Sequence, residues 1–199
     1  MKVYLIRHGE TEFNAERKAQ GWCDVKLTEN GMMQAAELGE GIKNIKFDRI
    51  ISSDLVRAKQ TANIIFGNDP KTEYDERLRE VNNTVLAGRK IDELVAAYGE
   101  KYRNAGRHFD YSELGGESFE SLRKRTADFL DDLKEDKKSE KIAVVTHGGT
   151  LLAIISNVLG HALTTSDLAH AKNCSVTVLE LKDGDFRLEL YNYVIQKLS

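Results

Sequence analysis

Two histidines in this chain each follow a short apolar run and precede a glycine. His8 comes after the apolar residues 3–6, and His147 comes after residues 142–146. A neutral imidazole can act as a nucleophile, and an adjacent glycine lets backbone N–H groups come close to an oxyanion. A single histidine after a buried strand is more often a structural residue. Two with the same glycine neighbour favour a site that binds and transfers an anion such as phosphate.

Two arginines are candidate donors to the phosphoryl oxygens. Arg7 lies beside His8, and Arg57 lies one helical turn beyond residues 53–54, which follow a third apolar run. A guanidinium can donate two parallel hydrogen bonds to phosphate, and its charge disfavours the protonated form of a nearby histidine. The alternative for Arg57 is an ordinary exposed helix residue. The backbone at Gly148, just before a predicted helix, would add N–H donors for the same anion.

The elements that must position these residues alternate between strand and helix. Apolar runs at residues 3–6, 47–51 and 142–146 end in small polar residues, which predicts central parallel strands. Helical patterns cover residues 28–38, 54–65, 118–134 and 150–159, with Thr28 and Asp54 as candidate caps, and an Asp-Gly turn joins a hairpin of residues 175–181 and 186–191. We therefore predict an α/β three-layer sandwich with a mostly parallel central sheet, helices on both faces and a C-terminal β-hairpin. Ligands bind such sheets outside the carboxyl ends of the strands, where both histidines are expected.

Length and composition narrow the classes of function. A chain of 199 residues fits one domain, here residues 1–199, and a formal net charge of −3 argues against binding to nucleic acid or to an anionic membrane. Cys23 and Cys174 lack the spacing of a disulfide framework or a zinc site. The run at residues 3–6 is too short for a signal-peptide core or a membrane span, so we expect a cytoplasmic protein. A homodimer is compatible with the sequence, in which no interface can be recognised.

Five ordered sequence blocks extend the pattern around His8. The first, Leu-Ile-Arg-His-Gly-Glu-Thr-Glu-Phe-Asn at residues 5–14, is similar to the opening signature of the histidine phosphatase superfamily, which includes the cofactor-dependent phosphoglycerate mutases. Four further blocks resemble the family's second to fifth blocks and follow in the family's order. The second block lies at residues 20–31 together with 34–35, and the third to fifth lie at residues 52–62, 78–80 and 146–149. An isolated Arg-His-Gly is weak evidence, whereas five ordered blocks are specific.

The resemblance implies a role for each of five catalytic residues. His8 would be the nucleophile that becomes phosphohistidine, while Arg7, Arg57 and His147 line the phosphate pocket. Glu80 would donate and accept the proton; without the resemblance, it would be interpreted as a solvated surface residue. Phosphoryl transfer requires mainly positioning and charge stabilisation, which these residues supply, so we expect neither a metal nor another cofactor.

The resemblance also implies a set of phosphate-binding residues around the nucleophile. Asn14, Gln20 and the backbone of Gly21 match family positions that hold the phosphate or its loop. The same set includes Arg7, Arg57, Glu80, His147 and Gly148. The predicted ligand of these groups is a small phosphorylated metabolite.

Residues 81–116 are the least regular part of the sequence, with a helical stretch near residues 91–98 and then polar loop residues. Long irregular connections are typically lids or binding loops, so we predict a substrate-covering insertion. Phosphoglycerate mutases continue after the position of Glu80 with a longer substrate loop that residues 81–88 do not match. The resemblance therefore favours a phosphomonoester hydrolase, acting for example on a sugar phosphate or ribazole phosphate, over mutase-type transfer. A non-catalytic phospho-ligand binding protein is the second alternative.

Several other polar residues have side chains suited to contacts with a substrate or a metal. The candidate substrate contacts within the insertion are Arg89, Arg103, Arg107, His108 and Tyr111. Outside it, His161 and His170 are too far apart for the helix-face spacing of metal ligands, so we predict structural roles for both.

Overall fold

The computed structural model describes residues 1–195, which form six strands and seven α-helices. The strands are β1 (Lys2–Arg7), β2 (Arg49–Ser52), β3 (Glu73–Tyr74), β4 (Lys141–Thr146), β5 (Val176–Lys182) and β6 (Asp185–Tyr193). The helices are α1 (Glu12–Ala15), α2 (Glu29–Ile42), α3 (Val56–Phe66), α4 (Ile91–Tyr98), α5 (Glu100–His108), α6 (Phe119–Glu135) and α7 (Gly148–Leu159). Short 3₁₀ turns lie at Glu76–Leu78, Thr84–Leu86 and Ser112–Leu114. None of the helices described here is both long and apolar enough to span a membrane.

All six strands belong to one sheet with the order β3-β2-β4-β1-β5-β6. Strands β1, β2, β3 and β4 are parallel, whereas β5 is antiparallel to both of its neighbours. Arg7 pairs with Thr146 and Ser52 with Val145, so the three central strands end at the same level of the sheet. The residues that follow them must therefore lie side by side.

Alternating side chains of the central strands are buried under helices on opposite faces of the sheet. Leu5 and Val144 pack against α6 and α7, while Ile6 and Val145 pack against α2 and α3. Buried strands with both faces covered have continuous apolar sequences, as β1 and β4 do. The predicted α/β three-layer sandwich is confirmed.

Helix starts and the final hairpin follow local sequence signals. Thr28 caps α2 by accepting the N–H of Gly31 at 3.0 Å, and Ser118 caps α6 in the same way. The predicted cap at Asp54 is wrong, because its carboxylate accepts a bidentate hydrogen bond from Arg79 and α3 begins after Leu55. Strands β5 and β6 are joined by Asp183 and Gly184, both with positive φ, as a two-residue hairpin turn requires.

Residues 81–116 contain more helix than the sequence predicts. The expected helix at residues 91–98 is present as α4, but α5 occupies a stretch predicted as polar loop. Only Tyr102 and Ala105 of α5 are buried, so its apolar stripe is too sparse to recognise in the sequence. The short edge strand β3 was also missed, since its two residues are exposed and carry no burial pattern. Strand β2 starts at Arg49, two residues later than predicted.

Candidate active site

His8 follows β1 directly and is almost fully buried. Its Nδ1 lies 2.7 Å from the carbonyl oxygen of Gly9, which can only accept, so Nδ1 carries the proton and donates it. The other ring nitrogen, Nε2, therefore keeps its lone pair. Burial lowers the pKa of His8 well below 6.5, and the charges of Arg57 and then Arg7 lower it further. The ring is a neutral imidazole whose Nε2 has an available lone pair.

Backbone contacts hold His8 in this position. Its N–H donates to the Thr146 carbonyl at 3.0 Å, and its carbonyl accepts from Nδ2 of Asn173 at 2.8 Å. Gly9 has no room for a side chain, because a Cβ there would lie 2.5 Å from the carbonyl oxygen of Gly31. The glycine after the histidine thus allows the tight approach of the α2 N-terminus to this loop.

Arg57 lies in the first turn of α3 and is completely buried. Its Nε donates to Nδ1 of His147 at 3.1 Å, while its terminal nitrogens donate to the carbonyls of Cys23 and Gly21 at 3.0 and 2.8 Å. Burial lowers the pKa of Arg57 to about 10, which leaves it cationic at neutral pH. The exposed-helix alternative for Arg57 is wrong, since the guanidinium points under the ends of the strands.

His147 follows β4 and faces His8, with 5.2 Å between the ring centroids. Because Nδ1 accepts from Arg57, Nε2 must carry the proton, which it donates to the hydroxyl of Ser53 at 2.8 Å. Burial, and after it the charge of Arg57, lower the pKa of His147 well below 6.5. A second neutral imidazole with a defined tautomer therefore lies beside the first.

Arg7 ends β1 and is directed toward Glu80 and Gly148. One terminal nitrogen donates to the carbonyl of Ala171 at 2.5 Å, while its buried Nε has no hydrogen-bond partner within residues 1–195. A Cβ built at Gly148 would lie 3.6 Å from that Nε and 3.9 Å from Oε2 of Glu80. An unpaired buried donor costs about 1–3 kcal/mol, and a phosphoryl oxygen would satisfy it. The unpaired donor faces the start of α7 and Glu80.

Glu80 reaches the same point from the segment that follows β3. Its carboxylate accepts the N–H of Gly149, at 3.0 and 3.2 Å from its two oxygens, and the N–H of Val81 at 2.9 Å. Gly149 lies in the first turn of α7, so the carboxylate is held at a helix N-terminus. The interpretation of Glu80 as a solvated surface residue is therefore wrong.

Asn14, Gln20 and Gly21 surround the cluster less directly. The side-chain oxygen of Asn14 accepts the N–H of Thr11 at 3.2 Å, and that of Gln20 lies 3.0 Å from the Thr11 hydroxyl. Within residues 1–195, no hydrogen bond joins Asn14 or Gln20 to His8, and the amide NH₂ groups remain available as donors. Gly21 adopts φ +50 and gives its carbonyl to Arg57, so its contribution is to hold that arginine.

An ion pair that the sequence analysis missed fixes the segment that carries Glu80. Arg125 of α6 donates to the carbonyls of Arg77, Arg79 and Glu80 at 2.6 to 3.0 Å and to both oxygens of Glu117. Glu117 also accepts the N–H of residue 82 at 2.9 Å. The pair is largely buried, with side chains 17% and 11% exposed. A glutamate before a helix and an arginine within it are too common for the sequence to single them out.

Most of the additional candidates in the insertion lie away from the cluster. Arg103 pairs with a glutamate of its own helix, Arg107 bonds to Asn104, and Tyr111 is buried in the apolar core of the insertion. In contrast, His170 lies next to Ala171, whose carbonyl accepts the hydrogen bond from Arg7. Burial lowers the pKa of His170, and the charge of Arg7 lowers it further. The structural role expected for His170 stays a prediction.

Comparison with known proteins finds relatives along nearly the whole chain. A family model described as histidine phosphatase superfamily (branch 1) matches residues 3–194. The protein named Probable phosphoglycerate mutase GpmB of Salmonella paratyphi A is 36% identical over 190 residues, which cover 94% of this chain and 87% of the relative. The structure of YhfR from Bacillus stearothermophilus has a TM-score of 0.89, with 29% identity and 98% of each chain covered. Phosphoserine phosphatase of Entamoeba histolytica in complex with 3-phosphoglyceric acid has a TM-score of 0.82, with 32% identity and 96% of each chain covered.

These relatives agree with the resemblance of the five sequence blocks. The family model spans almost all of the residues that form the sheet and its helices, and the two solved relatives share the fold over 98% and 96% of their lengths. The matched region includes the five residues of the site, which are Arg7, His8, Arg57, Glu80 and His147. The chain belongs to the histidine phosphatase superfamily.

Proposed function

We propose that this protein is a phosphomonoester hydrolase that forms a phosphohistidine at Nε2 of His8. The observation that carries the proposal is the fixed tautomer of this buried ring, whose Nδ1–H bond to the Gly9 carbonyl leaves Nε2 free to attack. The low pKa of His8 supports the same assignment, because the ring need not lose a proton before it reacts.

The electrostatics of the cluster favour a phosphoryl group over an uncharged ligand. Arg7 and Arg57 place two guanidinium groups near His8. The carboxylate of Glu80 acts on both of them, and that of Asp24 acts on Arg57. Charges shielded from water stabilise the oxygens of a phosphoryl group in the transition state of its transfer more strongly than the same charges would in water. A dianionic phosphomonoester therefore fits the net charge of the cluster.

The reaction proceeds in two steps that use the same residues. In the first, Glu80 takes up a proton from solvent when the dianionic ester binds beside it. Nε2 of His8 then bonds to phosphorus while the bond to the ester oxygen breaks, and Glu80 gives this proton to that oxygen. In the second, Glu80 takes a proton from water as the water oxygen bonds to phosphorus and the bond to Nε2 breaks. Inorganic phosphate and the original ring are the products. Glu80 acts as acid and then as base, as a single carboxyl at the leaving-group position can.

We assign residues 81–116 to substrate covering. Phe109, at the end of α5, packs against Gly149 beside the carboxylate of Glu80, so this segment borders the place where the leaving group departs. The substrate itself remains a proposal, a small phosphorylated metabolite, as do the cytoplasmic location and a homodimer.

The main alternative is mutase-type transfer, which is favoured by the name of the GpmB relative. Both reactions use the phosphohistidine and differ only in whether water or a second hydroxyl accepts the phosphoryl group. Incubation with 3-phosphoglycerate and separation of the products distinguishes them. We expect inorganic phosphate and glycerate; conversion mainly into 2-phosphoglycerate would overturn the hydrolase proposal. His8→Asn, which should form neither product, is the control for contaminating activity.

A further inference from the structure

Three consecutive residues, 21–23, contact two charged residues of the candidate active site. The carbonyls of Gly21 and Cys23 accept hydrogen bonds from the terminal nitrogens of Arg57 at 2.8 and 3.0 Å. Between them, Trp22 donates its indole N–H to the main-chain carbonyl of Glu80 at 2.6 Å. The same short segment thus connects the buried arginine of α3 with the carboxylate-bearing residue that follows β3.

The backbone that carries Trp22 is constrained by a tight turn. The N–H of Cys23 donates to the carbonyl of Gln20 at 3.0 Å, which closes a turn over residues 20–23. Gly21 within this turn has φ +50, a conformation that residues with a side chain rarely adopt. A Cβ built at Gly21 would lie 2.1 Å from Oδ1 of Asn83, so the turn also packs closely against the segment after Glu80. The indole therefore extends from a restricted backbone.

The indole ring makes a second contact, with a cation. Trp22 is 40% exposed, and its ring lies under the guanidinium of Arg79, whose central carbon is 4.8 Å from the ring centroid. Arg79 is fixed in turn by its bidentate ion pair with Asp54. Stacking on a guanidinium requires only an aromatic ring, whereas the hydrogen bond to Glu80 requires the indole N–H. The hydrogen bond is therefore the contact that a phenylalanine at this position would lose.

The main chain of Glu80 is held by two donors, and its carboxylate by two more. Its carbonyl accepts from Trp22 and, at 3.0 Å, from Arg125. Its carboxylate accepts the N–H groups of Val81 and Gly149 at 2.9 to 3.2 Å. Because the carboxylate can reach the start of α7 only while its own backbone stays in place, loss of the indole bond would loosen its position. A shift of about 1 Å at a reacting group can cost roughly a hundredfold in rate.

We propose that Trp22 is a positioning residue that holds Glu80 in place for proton transfer and in register with Arg57. The inference rests on the proposed hydrolase function and adds a residue that does not touch the reacting atoms. In that reaction Arg57 serves the phosphoryl oxygens that remain on phosphorus, while Glu80 serves the oxygen that leaves. Both groups must meet oxygens of the same phosphorus atom, so their separation matters, and residues 21–23 link them directly.

Trp22→Phe tests the proposal, because it keeps an aromatic ring under Arg79 and removes only the N–H donor. We expect kcat/KM for ethyl phosphate, whose leaving oxygen needs a proton, to fall roughly tenfold. That for p-nitrophenyl phosphate, whose phenolate leaves without one, should fall less than about twofold. In a Glu80→Gln background the substitution should change kcat/KM for ethyl phosphate less than about twofold, since the carboxyl it positions is already gone. Equal slowing of both esters, or undiminished slowing in the Glu80→Gln background, would overturn the proposal.

The amide proton of Gly149 gives a second readout that does not depend on turnover, because it bonds to the Glu80 carboxylate. In ¹H–¹⁵N spectra, Trp22→Phe should move this resonance toward its position in Glu80→Ala.

The matched control is Tyr74→Phe, in which an aromatic ring that is 50% exposed and lies under Lys59 loses its hydroxyl. This variant should leave the Gly149 resonance and both kcat/KM values at those of the wild type. An unmoved Gly149 resonance in Trp22→Phe, or an equal movement in Tyr74→Phe, would overturn the proposal. If the wild type hydrolyses neither ester but the resonance moves as expected, the hydrolase function fails and the positioning of Glu80 by Trp22 stands.

Discussion

Mild acid should destabilise this fold through its two buried histidines. Burial lowers the pKa of both His8 and His147 well below 6.5, and the charge of Arg57 lowers it further. As the pH falls through about 6.5, the unfolded chain gains a proton on each ring whereas the folded chain does not. The unfolded state then binds more protons, so the contribution of these rings to stability is present above pH 6.5 and is lost below it.

The size of this loss follows from the two neutral rings. Between pH 7.5 and 5.5, each ring that titrates only in the unfolded chain lowers the free energy of unfolding by about 1.4 kcal/mol, and the pair by about 2.7 kcal/mol. His8→Asn removes one of the two rings. The variant should therefore lose about 1.4 kcal/mol less than the wild type over this range, whatever its stability at pH 7.5.

Urea unfolding followed by the fluorescence of the single tryptophan, Trp22, measures both losses. His161→Asn, which replaces an exposed histidine, is the matched control and should lose as much stability as the wild type. If His8→Asn and the wild type lose the same free energy between pH 7.5 and 5.5, the reasoning about a neutral buried His8 is refuted.

Three further predictions concern the supports of the site. Arg125→Ala should lower the free energy of unfolding by about 3–5 kcal/mol, because it leaves the buried Glu117 carboxylate unpaired, and adding Glu117→Gln should recover part of that loss. Gly21→Ala should reduce turnover at least tenfold, because its Cβ would lie 2.1 Å from Oδ1 of Asn83. This clash would displace the Gly21 carbonyl, which accepts a hydrogen bond from Arg57. Adding Asn83→Ala to this variant should restore part of the activity. Glu80→Gln should slow hydrolysis of alkyl phosphates about 10²–10⁴-fold but that of p-nitrophenyl phosphate much less, because a nitrophenolate leaves without a proton.

Thermal and urea unfolding test the prediction for Arg125→Ala. Steady-state kinetics test those for Gly21→Ala and Glu80→Gln. If Arg125→Ala lowers the free energy of unfolding by less than about 1 kcal/mol, the ion pair of Arg125 and Glu117 does not stabilise the fold as a buried pair would. No recovery in the double variant of Gly21 and Asn83 would show that the predicted clash is not the cause. Equal slowing of both ester types in Glu80→Gln would remove the proton-transfer role and leave Glu80 as a structural carboxylate.

The sequence predicted the sheet edge well because its signals there are local. Apolar runs that end in Arg7-His8 and Thr146-His147 specify two strands, and a parallel sheet brings their carboxyl ends together whatever the connections are. Capping by Thr28 and Ser118 was equally readable, since each side chain bonds to a backbone N–H three residues away. The resemblance of the five blocks then identified Glu80, which composition alone would have assigned to the surface.

The parts that could not be predicted depend on contacts between distant residues. Arg125 contacts a segment nearly fifty residues earlier in the chain, and nothing in the amphipathic pattern of α6 distinguishes it from the other charges of that helix. The pKa of His8 was expected to be lowered by arginines, whereas burial is the larger cause. The positions of Phe109 and His170 depend on how the insertion folds back over the sheet, and α5 was itself missed.

The central claim is that His8 carries the phosphoryl group on Nε2. Rapid quenching of the protein with a ³²P-labelled phosphomonoester, followed by peptide mapping, tests it most directly. The account predicts an acid-labile, base-stable label on Nε2 of His8 that is absent from His8→Asn. An acid-stable label, a label on another residue, or undiminished labelling of His8→Asn would contradict it.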